Sequence, residues 1–505
     1  MARGKVELTL DLPRPAALQG APGEVLGGNK QDIVYATLRD AILGKLLPAG
    51  GRLPSTRTLA QRWGLSRGTL EIVYDRLCSE AYLSRTPGSG TRVSAVVPDS
   101  YLMAAHDVPS TNIRQAATPA QRRARAAAGR GERGIDLSVQ TGVPFVARLA
   151  DPALFPVPTW SRHIARALGG ASAEILCCAD RSGLAALREQ IADYLRKYRG
   201  LPCVADDVVV LTGIRHALDL IARSVLRPGD KVCVEDPGYP AARQIFGMAG
   251  AVLAPIEVDG EGMECMQLAS HPDARLVYVT PAHQSPSGVT MSVTRRLELL
   301  EWADSRDAWI IEDDYDSEFN YVSAPLAALK SLDRGNRVIY CGSFNKTLFA
   351  GLRVGFAVVP PRLKSSLLAL WQTTGRSVGV TEQLALASWL ADGAFVRHLR
   401  SARRAYQERR DAILAVLEAD AAGCYSVSGQ QAGFHFVLWL PDGCDETLFC
   451  QRAAAAGLYL QGLRGLCSDI RLPPAVIVGY TALTMAQARY GAKLLASLLR
   501  EHRPA

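Results

Sequence analysis

The sequence predicts two folded parts: an N-terminal helix-turn-helix closed by a β wing, and a C-terminal α/β domain on a mostly parallel sheet. Three observations carry that reading. Between Lys30 and Val97 apolar residues recur at helical spacing and the charge is basic. From Pro98 to Gly134 no period is sustained, and Ala, Arg, Pro and Gly dominate. From Ile135 onwards short apolar runs alternate with helical patterns. The expected organisation is an N-terminal extension over 1–29, the winged helix-turn-helix domain over 30–97, a flexible basic linker over 98–134 and the α/β domain over 135–505.

Bulk properties bound the function. A chain of 505 residues is too long for one ordinary domain. Its 48% hydrophobic content is enough to bury a sizeable core and argues against wholesale disorder. The 11 cysteines are scattered with no C-x-x-C pair, so neither a metal site nor a secreted disulfide framework is expected. MARGKVELTLDLPRP lacks the apolar core of a signal peptide, and no later run of about 18 apolar residues occurs. The expectation is a soluble, cytoplasmic protein without a membrane partner.

In QDIVYATLRDAILG, Val34, Leu38 and Ile42 define one buried helical face. Ser55 or Thr56 then caps a second helix carrying Leu59, Ala60 and Trp63 inward, and Gly64-Leu65 makes the turn. Ser66 caps a third helix with Leu70, Val73, Tyr74 and Leu77 on its apolar stripe. That stripe leaves Arg67 and Thr69 at the exposed N-terminal end, the part a helix-turn-helix offers to base edges. YLSRTPGSGTRVS reads as a hairpin with a glycine-rich tip, flanked by Arg85 and Arg92. Ten basic residues against five acidic ones over this region give about +5, which favours phosphate contact. A three-helix packing module with a solvated charged face shares much of this pattern.

In the second part the runs DVVVLTG, DKVCVED, ARLVYVTP, AWIIEDD, NRVIYCGSF and RVGFAVV read as strands buried on both faces. Pyridoxal phosphate requires a lysine amine, a carboxylate beside its pyridine nitrogen and a phosphate cradle. Each has a candidate at a strand end, where open α/β sheets place ligands. TGIRHALDL passes from a strand to a helix at Thr212-Gly213, so the amides of Ile214 and Arg215 can face a phosphate. EDPGYP projects Tyr239, IIEDDYDSEF ends a strand with Glu312, Asp313 and Asp314, and SFNKTLFAGLRVG sets Lys346 between Ser343 and Arg353. Each is ambiguous alone. A lysine after a strand is usually a surface charge, and clustered carboxylates are usually a solvated strand end.

Taken together, LPSTRTLAQRWGLSRGTLEIVYDRLCSEAYLSRTPGSGT closely resembles the winged helix of GntR-type bacterial regulators, and the ordered later motifs resemble fold-type I aminotransferases. The combination resembles MocR-type (GabR-like) regulators over both domains. The resemblance implies a large pyridoxal-phosphate domain with a smaller α+β C-terminal subdomain. It implies Arg57, Ser66, Arg67 and Thr69 as DNA-facing residues, with Gly88, Gly90 and Arg92 in the wing. For the cofactor it makes Lys346 the Schiff-base lysine, Asp313 the pyridine partner, Tyr315 the ring-hydroxyl partner and Tyr239 the stacking ring. Ser343, Arg353 and the Ile214-Arg215 amides would hold the phosphate, and His283 faces the ring. It also implies a double-stranded DNA operator, a head-to-tail homodimer and an effector that is a small amino compound or a vitamin B6 vitamer.

The chain departs from that pattern at several places. Asn345 stands where the family has serine before the lysine, and HQSPSG places Ser285 and Ser287 in a loop that usually carries an aromatic. Cys178 replaces a tyrosine that reaches the partner's cofactor phosphate, which should weaken phosphate binding. Before VIVGY the chain reads LPPA instead of carrying the substrate-carboxylate arginine, and Arg471 is out of register. These features favour a transcription regulator that forms an external aldimine with its effector, with at most slow or half transamination. The alternatives are a vitamin B6 sensor and an active aminotransferase with an appended reader.

Overall fold

The computed structural model describes residues 15, 30–44, 46–80, 82–86, 90–94, 143–177, 180–322, 327–375 and 377–501. Contacts divide the chain between Ile135 and Asp136 into two compact units.

The first unit holds helices α1 (Lys30–Leu43), α2 (Thr56–Trp63) and α3 (Arg67–Ser79), then strands β1 (Leu83–Thr86) and β2 (Gly90–Val93). Ser55 is the cap of α2, its oxygen accepting the Thr58 amide at 3.1 Å, and Gly64 ends that helix at φ 66°. A left-handed residue there lets the chain reverse within one turn, which places α3 against α2. Ser66 caps α3 in the same way, accepting from the Thr69 amide at 3.1 Å. The ten apolar residues expected inside are all buried: Val34, Leu38, Ile42, Leu59, Ala60, Trp63, Leu70, Val73, Tyr74 and Leu77. The antiparallel β1–β2 pair is the wing.

The second unit is built on an eight-stranded sheet. Its strands are β3 (Val208–Leu211), β4 (Lys231–Asp236), β5 (Val252–Asp259), β6 (Gly262–Met263), β7 (Ala274–Val279), β8 (Trp309–Asp314), β9 (Val338–Ser343) and β10 (Gly355–Val358). Helices α4 (Ala185–Arg199) and α5 (Ile214–Val225) precede and follow β3. The spatial order is β3-β10-β9-β8-β7-β4-β5-β6. Pairs from β5 through β4, β7 and β8 to β9 are parallel, while β10 is antiparallel to both β9 and β3. RVGFAVV therefore departs from the parallel expectation. The loop joining β9 to β10 is too short for a crossover, which takes a dozen or more residues, and suits an antiparallel neighbour.

The C-terminal subdomain begins with the long helix α6 (Ala394–Ala421) and adds strands β11 (Ser426–Ser428), β12 (His435–Trp439), β13 (Gln461–Gly462) and β14 (Ala475–Gly479). These form an antiparallel sheet in the order β11-β12-β14-β13, and α7 (Met485–Glu501) packs along α6. Ile413 and Leu417 of α6 share one core with Leu495 and Leu499 of α7. Among the described residues, no helix is long and apolar enough to cross a membrane, and no His/Cys/Asp/Glu cluster has the arrangement of a metal site.

Candidate functional site

The carboxyl ends of β3, β4, β8 and β9 lie along one edge of the large sheet, and the loops leaving them carry the predicted residues. Lys346 sits in a single helical turn, Phe344–Thr347, directly after β9. Ser343 caps that turn, accepting from the Asn345 amide at 3.2 Å. The Lys346 side chain is half-buried, its amine donates to the Arg148 carbonyl, and its Nζ lies 5.9 Å from the centre of the Phe434 ring. Burial, followed by the positive charge of Arg148, brings the amine down to about 8. A substantial fraction is then neutral near physiological pH and competent to attack a carbonyl carbon.

Asn345 has a structural task. Its Oδ1 accepts the Val354 amide at 3.0 Å, closing the loop just after Arg353, which is exposed at φ 55°. Gly213 caps α5 at φ 105°, and a Cβ there would come within 3.1 Å of Asn345 Nδ2. Opposite it, a Cβ on Gly355 would meet the Gly213 Cα at 2.8 Å. Only glycine fits either position, and the two together let the α5 N-terminus approach the lysine loop closely. Ile214 is half-buried and Arg215 exposed, with Arg215 Nε donating to the Tyr239 hydroxyl at 3.3 Å.

The β8 carboxylates are not a solvated strand end, because Glu312, Asp313 and Asp314 are all buried. Each has a different partner. Glu312 accepts the Leu329 and Lys330 amides at 2.8 Å, and Asp314 pairs with Arg199 at 2.7 Å. Asp313 alone faces the site, accepting from the Tyr278 hydroxyl at 2.6 Å. Burial raises Asp313 to about 7, while the Tyr278 hydrogen bond works against that rise. A cation placed against Asp313 would restore its ionised form.

Beyond β8, the Tyr315 hydroxyl lies 3.2 Å from His283 Nδ1, the nitrogen that also meets Asp316 Oδ2 at 2.9 Å. Burial pulls the His283 imidazole down, but the Asp316 carboxylate outweighs it, so the ring sits above its usual value. His283 Nε2 reaches the Gly429 carbonyl at 3.4 Å, so this ring ties the large sheet to the C-terminal subdomain. A cavity of about 650 Å³ opens beside it, lined among others by Gly288, Val289, Ser428 and Gln430. Ser285 is buried, its amide donating to Thr280 Oγ1 at 3.0 Å and its side chain hydrogen-bonded to Tyr315, and it does not line that cavity. Arg471 is exposed, and Cys178 and Gly88 lie outside the described residues.

In the first unit Arg57 and Arg67 are exposed. Arg67 pairs with Glu71 at 2.8 Å, and the Thr69 hydroxyl lies 2.7 Å from that of Ser66. An exposed i,i+4 pair is worth about 0.3–0.5 kcal/mol, so Arg67 can exchange Glu71 for another anion at little cost. Gly90 opens β2 at φ 81°, and Arg92 Nη1 donates to the Gly50 carbonyl at 2.9 Å, bracing the wing on the turn before α2.

A half-buried lysine after a strand, a buried aspartate on the neighbouring strand and a glycine-led helix define a pyridoxal-phosphate domain, carried behind a winged helix. Residues 30–93 match the model of bacterial regulatory proteins of the gntR family, and residues 146–472 that of aminotransferase class I and II. Over 471 residues the chain is 34% identical to a Rhizobium meliloti protein described as "Probable rhizopine catabolism regulatory protein MocR", covering 92% of each. It is 33% identical over 376 residues to the pyridoxine biosynthesis transcriptional regulator PdxR of Corynebacterium glutamicum, covering 74% of this chain and 76% of that one. Its fold matches the Pyrococcus horikoshii kynurenine aminotransferase with a TM-score of 0.67 at 27% identity, over 79% of this chain and 98% of that one. The chain belongs to the MocR-type branch of the GntR family of transcription regulators, and its cofactor is pyridoxal 5'-phosphate.

Tyr278, Asp316, Arg148, Arg199 and His435 were not among the residues expected here. Arg148 and Arg199 arrive from the chain's entry into the domain and from a helix end, Tyr278 and His435 lie within strands, and Asp316 stands two residues past β8 inside IIEDDYDSEF, where only the fold shows that it meets His283.

Proposed function

We propose that this regulator senses a small amino compound at Lys346 and couples its binding to operator recognition by the winged helix. The observation that carries this reading is the Lys346 amine itself, half-buried, lowered to about 8 and facing the same pocket as Asp313, in a chain whose other unit is a DNA reader. Bound there, pyridoxal phosphate supplies an aldehyde carbon that condenses with amines. Lys346 anchors it, Asp313 holds the pyridine nitrogen protonated, Tyr315 meets the ring hydroxyl and Tyr239 covers the ring. Ser343, Arg353 and the amides of Ile214 and Arg215 hold the phosphate, with His283 orienting Tyr315 from behind.

On the DNA side, Arg57, Ser66, Arg67 and Thr69 meet the operator, with Gly88, Gly90 and Arg92 in the wing. The domains run 30–97 and 135–505, joined by the basic linker 98–134. The protein acts in the cytoplasm as a head-to-tail homodimer, with transamination at most slow or limited to a half-reaction. Coupling requires the effector to bind one dimer geometry better than another, with a reciprocal effect of DNA on effector affinity. Arg57→Ala is expected to weaken operator binding and to reduce the salt slope of log affinity by about 1. Fluorescence anisotropy at several salt concentrations measures both, and an unchanged slope would remove Arg57 from the interface.

The test of the sensing reading is an absorbance titration of the cofactor-loaded protein with amino compounds, without any keto acid. A Schiff-base band that shifts with one compound and persists supports sensing, and the same compound should then alter operator affinity. Collapse to the aminated cofactor's band would favour an enzyme. A vitamin B6 sensor is favoured by the similarity to the pyridoxine biosynthesis regulator, and it requires free cofactor alone to shift operator binding.

A further inference from the structure

The helix Val157–Gly169, near the start of the second unit, carries none of the cofactor-site residues. Thr159, Arg162, His163 and Arg166 recur along it at i, i+3, i+4 and i+7, so they share one face. Beside that face Trp160 packs edge-on against Trp389 of the helix Val380–Ala391, with ring centres 5.4 Å apart. His163 is buried, its Nδ1 2.8 Å from Ser388 Oγ and its Nε2 3.2 Å from Asp392 Oδ2. These contacts bring the start of α6 against the same face. Asp392 Oδ1 accepts the Ala394 amide at 2.8 Å, at the entry to α6. Arg397, one turn further on, donates from Nη1 to the Asp392 carbonyl at 2.9 Å. Gly393 turns the chain between them at φ 73°, and a Cβ there would come within 3.4 Å of Arg397 Nη1.

Between the two helices lies a pocket of about 200 Å³, lined by Thr159, Arg162, His163, Arg166, Asp392 and Arg397. No apolar side chain lines it, which excludes a hydrophobic occupant. Its size also falls below the roughly 300–1,000 Å³ of sites that enclose whole organic ligands. Charge is what distinguishes it. Its carboxylate, Asp392, is engaged on both oxygens, by the Ala394 amide and by His163, and Arg397 Nη2 stands 3.7 Å from Oδ1. Arg162 Nη2 donates to Thr159 Oγ1 at 3.1 Å, which holds it along its own helix. Among the described residues neither Arg162 nor Arg166 pairs with a carboxylate. Three guanidiniums against one carboxylate make the pocket cationic whatever the state of His163. The N-terminal dipole of the 28-residue helix α6 adds to that field.

We propose that this pocket is a second anion site, separate from the cofactor's, and that it takes a phosphoryl oxyanion. Three guanidinium forks suit a tetrahedral group with three outward oxygens better than a planar carboxylate with two. The phosphoryl group comes either from a DNA backbone or from a free phosphate ester. The same turn of α6 also meets the lysine loop. His398 Nε2 lies 2.9 Å from the Thr347 carbonyl, one residue past Lys346, so an anion held by Arg397 sits on the helix that braces the cofactor lysine. The inference does not depend on the sensing reading.

The experiment uses the full-length cofactor-loaded protein, so that the cofactor's own phosphate cradle is filled. Calorimetric titration with inorganic phosphate, against acetate at matched ionic strength, reads the small anion. Fluorescence anisotropy on a random-sequence duplex at several salt concentrations reads the DNA backbone. Arg162→Gln/Arg166→Gln removes two guanidiniums from exposed positions in the pocket, and Arg404→Gln/Arg489→Gln removes the same charge from exposed positions outside it. With a free phosphate ester as the source, wild type takes up phosphate in preference to acetate. The pocket variant then binds phosphate about tenfold less tightly, and the control variant binds as wild type does. With DNA as the source, the pocket variant lowers the salt slope of log affinity by about 1 and the control leaves it unchanged. Arg166→Gln alone, read in the same way, replaces a double variant that loses its cofactor band. A pocket variant that matches wild type in both arms overturns the inference. So does a control that loses as much as the pocket variant, or uptake of acetate as tight as that of phosphate.

Discussion

In Lys346→Ala, the absorbance band of lysine-linked cofactor is lost, and with it the whole effector-dependent change in operator affinity. Affinity for DNA without effector stays within about threefold of wild type, which corresponds to about 0.6 kcal/mol. The expectation follows from how this residue is placed. The turn that carries it is held by the Ser343 cap and by the Asn345 to Val354 hydrogen bond, neither of which uses the lysine side chain. Deleting the amine therefore removes chemistry without dismantling the loop. The winged helix has its own buried core, Val34 to Val93, and does not depend on the lysine for its fold. Spectra and anisotropy on one preparation decide the matter. A variant that still answered effector on DNA as wild type does would end the case for Lys346 as the sensing group.

Arg199→Ala should cost about 3–5 kcal/mol of stability, the usual penalty for stripping one partner from a buried ion pair. Arg199 closes α4 with its Nη2 2.7 Å from Asp314 Oδ2, and the two side chains are only 3% and 2% exposed. Around them lie Glu312 and Glu318, both raised to about 7, by burial first and then by the Asp314 charge, while Arg199 holds both down. The Tyr340 hydroxyl donates to Asp314 at 2.6 Å and that of Tyr194 to Glu318 at 2.9 Å, but neither carries a positive charge. Without the guanidinium these carboxyls rise further in the folded state. A carboxyl raised on folding contributes stability below its unfolded value and loses it as pH climbs through its folded value. The cost should therefore be smaller near pH 5 and larger near pH 8. Denaturant unfolding of the full-length protein at both values measures this, and a cost under about 1 kcal/mol at each would show that the pair adds nothing net.

The contrast between Asp313 and Asp314 shows where sequence reading reaches and where it stops. The run of acids after an apolar strand marks a functional edge, and the helical stripe from Leu70 to Leu77 with Ser66 before it marks α3, because caps and periods are local. Lys346 stands out for the same reason, set in a short stretch between a strand and an arginine. Which acid faces the site is not local. Alternation along β8 turns Asp313 and Asp314 to opposite faces, and their partners come from distant positions, Tyr278 35 residues away and Arg199 in a preceding helix. Arg148 is 198 residues from the lysine it touches, in a stretch with no period to mark it. The reversed direction of β10 was hidden because an apolar run reads the same in either sense.

The segment from Phe145 to Asp151, held by Gly479, Thr481, Arg409 and Tyr406, has a topological meaning. In chain order it is the first described stretch of the second unit, so the DNA reader is tethered to that unit through it. This anchor and Lys346 are one hydrogen bond apart. Extended chain advances about 3.3 Å per residue, so a slip of one residue at this anchor would shift the point where the chain enters the second unit by that length. A ligand that drew the Lys346 amine away from the Arg148 carbonyl would act directly on that entry point.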